Sequence, residues 1–337
     1  MKLGRVLSLL ALAYHASSAI AAAAACDPSD RAFVCGLQNA EDLVQLPGTP
    51  WVLASHINFE FVPPFKASLG PLNAIRVDTH AVRTIYPASD NAVDWDRKTY
   101  PDCPAPPAVF SSHGLNAQVL GGGKFRLYVA NHGSRQSVEI IDIAVRGDRL
   151  LSTWRGCILA PEKIFPNGVA PLPGGGVVLS GFGVALWRPG QGWSATRNIE
   201  GSNGVEVSRD GQWLFVANSK DSVLRVPVSG TGEQKVLKFG FAPDNLRWGE
   251  DGRLYVAGPH VPEGFPIEEC FKAAVCDVGF GAAQIDPDTL ATREIIRNEG
   301  IKGKFGAATT ALQVGEHFWI GSSRGDRVAI VAPNRQP

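Results

Sequence analysis

Short apolar runs, each set off by a turn signal, recur along this chain, and none takes the three-to-four-residue spacing of an amphipathic helix. Asn203-Gly204-Val205-Glu206-Val207-Ser208 leads to an Asp210-Gly211 turn and then to the run at 213–217. Asp244-Asn245-Leu246-Arg247-Trp248 leads in the same way to Asp251-Gly252 and the run at 254–257. Asn167-Gly168-Val169 precedes a triple-glycine turn and 177–180, and His113-Gly114-Leu115 precedes another and 127–130. Weaker copies open at Glu41-Asp42-Leu43 and Thr309-Thr310-Ala311. Each unit reads as a polar dipeptide, a short strand, a glycine-bearing hairpin, a β-branched or aromatic strand and a further strand, as at 137–142, 222–228 and 327–332. Six units starting at 41, 113, 167, 203, 244 and 309 stand 36 to 72 residues apart. The shorter gaps fit four strands per unit and the longer ones carry insertions. The pattern predicts an all-β, six-bladed β-propeller with four-stranded blades, a single domain over 26–337. A β-sandwich with chance hairpins is the rival; no α/β alternation appears.

In a propeller the innermost strands start around a shared channel, so the six dipeptides converge on its axis. Glu41, Asn167, Asn203, Asp244 and Asn245 then form an oxygen-rich ring with two carboxylates. Calcium takes six to eight oxygen ligands, and this set supplies carboxylate and amide oxygens without thiolates. Singly, each dipeptide is an ordinary turn former. Recurrence at one point of successive units favours the channel instead, because the outer hairpins use Asp-Gly and Gly-Gly.

The ends and the charge narrow the setting. Lys2 and Arg5, an apolar stretch at 6–14 and small residues at 16–25 read as a signal peptide over 1–25, and hence as a secreted or periplasmic protein. Ala23-Ala24-Ala25-Cys26 loosely resembles a lipoprotein box, the alternative being an anchor through Cys26. No later segment is long enough to be a transmembrane helix. The 32 basic residues balance the 32 acidic ones, leaving no field for nucleic acid. Six cysteines in an exported chain suggest disulfides among 15 pairings. Cys26 with Cys35 and Cys270 with Cys276 would close short loops, which would leave Cys103 with Cys157.

Glu41-Asp42-Leu43 followed by Leu46-Pro47, and His113-Gly114-Leu115 followed by Val129-Ala130-Asn131-His132 and Ser137-Val138-Glu139-Ile140, resemble the paraoxonase group of calcium-dependent lactonases and arylesterases. That group lies within a wider set of six-bladed propellers that includes gluconolactonase-like and strictosidine-synthase-like proteins. The resemblance runs from about Glu41 to the C-terminus and is clearest at 113–143, 203–228 and 244–257. It implies a catalytic calcium held by Glu41, Asn167, Asn203, Asp244 and Asn245, with His113 and His132 as a catalytic imidazole pair above it. It also implies a second calcium using Asp42 and the Leu115 carbonyl, although Gly168 stands where a further Asp is expected. The family's staple from an N-terminal cysteine to one near the C-terminus is missing, since no cysteine follows Cys276.

A calcium held largely by neutral amides polarises a carbonyl, and a histidine near its ordinary acidity suits the activation of water. His113 is read as the base and His132 as its tuner, acting on a small lactone or ester. His56, Phe59, Phe182 and His260 are placed at the substrate pocket by their loop positions, as more weakly are Phe61 and Phe280; His80 and His317 are read as surface or edge residues. No Gly-x-Ser-x-Gly elbow and no phosphate-binding loop occurs. A gluconolactonase-type sugar lactonase would share the metal ring without the histidine pair. A non-catalytic propeller binding a partner would share only the fold.

Overall fold

A computed structural model describes residues 25–58, 68–265, 270 and 272–334. Residues 1–24, where the signal peptide is expected, and Phe59 and Phe61 lie outside them. The strands fall into six antiparallel sheets, in the order the repeats anticipate. The innermost strands are Leu43–Gln45, Ser112–Gly121, Val169–Pro171, Ser202–Val207, Leu246–Trp248 and Ala308–Val314. We number the blades one to six in that order. Blade two gains a fifth strand, Ala92–Val93, laid parallel against Thr153 and Trp154 of its outer edge.

Blade six is completed from the other end of the chain. Phe33–Cys35 pairs antiparallel with Arg327–Val331, with Phe33 opposite Ala329 and Cys35 opposite Arg327. Backbone hydrogen bonds between strands from the two ends of the described chain thus close the ring. All three disulfides are local or within one side of the ring: Cys26–Cys35, Cys103–Cys157 and Cys270–Cys276. The paired sulfur of Cys26 cannot also carry a thioether lipid, which corrects the alternative of an anchor there. Among the described residues no helix is long and apolar enough to cross a membrane.

Blades pack face to face, so their middle strands are covered on both sides and read as continuous apolar runs rather than alternating ones. Trp51–Ala54 and Val177–Ser180 are buried at every position. Each large aliphatic or aromatic side chain so covered contributes about 1.5–3 kcal/mol. The apolar clusters between blades leave the axis to polar groups. Phe280 belongs to this packing: it lies in the strand Gly279–Ile285, fully buried and edge-on to Phe305, and does not line a substrate pocket. The insertion bearing Cys270 and Cys276 ends before it.

Candidate active site at the head of the tunnel

Three of the six repeated dipeptides carry a glycine, and each of these has a packing role. A Cβ on Gly114 would lie 2.0 Å from the Asn167 carbonyl oxygen, one on Gly168 2.6 Å from Val205 N, and one on Gly204 2.4 Å from the Asp244 carbonyl oxygen. At these three positions the inner strand leans on the backbone of the next, and a side chain there would push the two apart. The same contact explains why position 168 holds no aspartate.

The close ring brings the preceding residues together. Asn245 Nδ2 donates to Glu41 Oε1 at 2.5 Å, and His113 Nε2 lies 3.6 Å from Glu41 Oε2. Asn203 Nδ2 donates to Ser219 Oγ at 2.9 Å and also supports Asp244. Three buried oxygens here have no hydrogen-bond partner: Glu41 Oε2, Asn167 Oδ1 and Asn203 Oδ1. A buried acceptor without a donor costs about 1–3 kcal/mol, and a cation is a partner that would satisfy these three, each at or just before the start of an inner strand of a different blade. Burial pushes the Glu41 carboxyl well above the usual carboxylate range, and the charges of Asp244 and Asp42 add to this. Asp244 is pushed up to about 8, again by burial first and the Asp42 charge second. The cluster is short of positive charge, and its donor set of amide and carboxylate oxygens fits a hard cation such as calcium.

Two imidazoles border these oxygens. His113, near the start of Ser112–Gly121, sets Nδ1 2.8 Å from His132 Nε2 and 3.2 Å from the Pro166 carbonyl oxygen. The Pro166 carbonyl is within reach of both rings and only accepts, so the order is set at the far end: with Gln136 Oε1 accepting from His132 Nδ1 at 2.6 Å, a neutral His132 offers Nε2 as acceptor to His113 Nδ1–H. By the same chain of assignments the basic nitrogen of His113 is Nε2, the atom facing Glu41. Burial holds the His113 pKa well below its ordinary value, helped by the neighbouring imidazole. Burial also lowers His132 to about 4, so both rings are neutral at pH 7. His132 is fixed by its loop, since Asn131 accepts from the Ser111 and Gly133 backbone N–H groups and donates to Arg135 O and Ser137 Oγ.

The other pocket residues divide. Phe182 is 75% exposed at a turn between Gly181 and Gly183 and holds a positive φ of 54°, a strained backbone for a phenylalanine. Phe165 lies 6.3 Å from it and stacks on His132 at 4.2 Å, so an aromatic path leads from the histidine pair to the surface. His56 is half-buried, with its ring nitrogen Nε2 buried and unpartnered, and burial lowers its basicity. His260 is the last residue of the strand Leu254–His260 and is half-exposed. His317 is exposed, while His80 packs edge-on to Trp319.

Deeper along the axis, the pair expected at a second calcium meets a different cation. The guanidinium of Arg247, on the inner strand of blade five, binds the Asp42 carboxylate through Nη2 and donates to the Leu115 carbonyl oxygen at 2.7 Å. It donates as well to the carbonyls of Leu43 (2.7 Å) and Leu246 (2.6 Å), and reaches Glu206 Oε1 at 3.3 Å. Asn116 Nδ2 donates to that same Glu206 oxygen at 2.9 Å. Sequence reading passed over Asn116, Glu206 and Arg247, yet a signal was present. Each stands three residues after the first member of a repeated dipeptide, at 113, 203 and 244. The matching positions of the other blades are Val44, Ala170 and Leu312.

No protein-family model matches this sequence, and no protein of curated function matches it either. Among solved structures it is similar to a candidate gluconolactonase, with 14% identity over 89% of this chain and 90% of the other and a TM-score of 0.50. It is similar also to a luciferin-regenerating enzyme, with 11% identity over 89% and 92% of the two chains and a TM-score of 0.50. At this identity the likeness concerns the six-bladed fold.

Proposed function

We propose that the protein is a calcium-dependent hydrolase of lactones and related esters. The observation that carries this reading is the set of three unpartnered buried oxygens, on Glu41, Asn167 and Asn203, the first of which lies 3.6 Å from the basic nitrogen of His113. Glu41, Asn167, Asn203, Asp244 and Asn245 would hold the ion. Bound there, calcium would polarise the ester carbonyl and stabilise the oxyanion that forms on attack. His113 Nε2 takes the proton of the attacking water, and His132 accepts from His113 Nδ1 and so steadies the resulting imidazolium. Pro166 O and Gln136 keep both rings in the tautomers this step needs. Phe165 and Phe182 offer an apolar wall for the acyl chain or leaving group, which favours hydrophobic lactones over polyhydroxy ones.

The test is a panel of a hydrophobic δ-lactone, gluconolactone and phenyl acetate, assayed with calcium, after chelation and after calcium is restored. Calcium-restorable turnover of the hydrophobic lactone, lost at least tenfold in His113→Gln, is the expected result. Turnover of gluconolactone alone, unaffected by His113→Gln, would move the assignment to a sugar lactonase, the activity ascribed to one of the similar structures. A folded, calcium-loaded protein that hydrolyses none of the three overturns the reading.

A further inference from the structure

We infer that Arg247 takes the place of a second metal ion on the propeller axis, so that the deep end of the tunnel is closed to divalent cations, and that removing its guanidinium would uncover a calcium site. The geometry around the side chain is that of a cation cage. Two carboxylates, from Asp42 and Glu206, and three backbone carbonyls, from Leu43, Leu115 and Leu246, converge on one buried centre. These five groups come from blades one, two, four and five. Calcium takes oxygen donors of just these kinds, and usually more than one carboxylate. Here each oxygen accepts from the guanidinium, whose charge fills the centre that an ion would need. Asp42 is further committed, its Oδ2 accepting from Leu115 N at 2.7 Å and its Oδ1 from Thr310 Oγ1 at 2.9 Å.

Glycine at 168 agrees with this arrangement. An added Cβ there meets Val205 N at 2.6 Å, so the blade that might have supplied another carboxylate contributes none. An arginine carries its charge at every relevant pH and needs no loading step. A cavity of about 290 Å³, lined in part by Asn116, Glu206 and Trp248, opens beside the deep end and gives a freed cage a route for ions.

The inference concerns the deep position only and is independent of whether calcium binds at the head of the tunnel. The experiment is calcium counting on the full-length protein by equilibrium dialysis in millimolar calcium after chelation, with thermal melting in calcium and in chelator. The Glu41→Gln/Asn203→Ala double variant, which removes head-site donors, should bind no calcium; one ion retained there would overturn the inference. Arg247→Ser should bind one ion more than the wild type, or fold only when calcium is supplied. A folded Arg247→Ser with the wild-type count would overturn the inference, as would two ions on the wild type. A wild-type count of zero would remove the head-site reading and leave this one standing. Should Arg247→Ser fail to fold in either condition, the double variant and wild-type counts decide alone.

Discussion

Replacing Glu139 by alanine should lower stability by about 4 kcal/mol although the residue lies outside the reacting groups. Its carboxylate is fully buried in blade two and accepts four hydrogen bonds: from Arg135 Nε (2.9 Å) and Nη2 (3.0 Å), Ser137 Oγ (2.6 Å) and Trp154 Nε1 (2.8 Å). Burial raises its pKa more than Arg135 lowers it, so the pair as a whole gives little advantage over an apolar replacement. Breaking only one side is worse. Trp154 is fully buried, and stranding its N–H costs about 1–3 kcal/mol. Leaving one charge of a buried pair costs about 3–5 kcal/mol. The two figures share the same carboxylate and do not add. Arg135 can also turn partly to solvent beside the exposed Ser134 and Gln136. At roughly 2 °C per kcal/mol for a domain of this size, the melting temperature should fall by about 8 °C. Calorimetry at fixed calcium measures it. Adding Arg135→Ala to Glu139→Ala should return part of the loss, because it removes the stranded charge. A fall under about 2 °C, or a double variant no better than the single one, would refute the account.

Four further outcomes are expected. His132 is held at about 4 in the folded protein against 6.5 in the unfolded chain, so its contribution is complete above pH 6.5 and fades as pH falls toward 4, by about 3 kcal/mol in all; His132→Gln should flatten that part of the stability profile, and identical slopes would disprove it. Opening Cys103–Cys157 with serines frees a 54-residue loop and should cost about 4 kcal/mol by chain entropy, read from denaturant unfolding. Gln136→Leu removes the acceptor on His132 Nδ1, but because Gln136 is exposed water can replace it, and kcat/KM on the responsive lactone should drop only about two- to tenfold. Asn203→Ala should weaken calcium binding at least tenfold by titration while lowering the chelated protein's melting temperature by only a few degrees, since the amide oxygen has no protein partner to lose and only the Nδ2 bonds to Ser219 and Asp244 go.

Much of the ring was legible because propeller blades repeat a local grammar. A polar dipeptide, an apolar run and a glycine turn recur whatever surrounds them, and all six inner strands began where those dipeptides stand. The histidine pair was legible as a motif, but the chain of acceptors that sets its tautomers was not. Pro166 and Gln136 act through a backbone oxygen and an exposed amide, which leave no pattern in sequence. Arg247 and Glu206 were hidden for the opposite reason. A single charge within a short strand looks like a solvent-facing position, and only the shared offset from the dipeptide marks it as axial. Phe280 was misplaced because a long insertion blurs where the next strand begins. Phe33–Cys35 offers three residues with no local signal, and its role depends on a partner nearly the whole chain away.

That last pairing orders the life of the molecule in time. During vectorial synthesis the strand Phe33–Cys35 emerges first and its partner Arg327–Val331 last, so the early segment waits, edge exposed, while every blade between them is made. Contacts of such long range are slow to find and vulnerable until found. The circle is therefore completed by its two ends at once, and trimming either end past its strand would unlatch the same blade. A chain in which Arg327–Val331 is joined by a linker to Phe33–Cys35 and which is cut in an outer hairpin would keep the same ring while letting blade six assemble from neighbouring sequence.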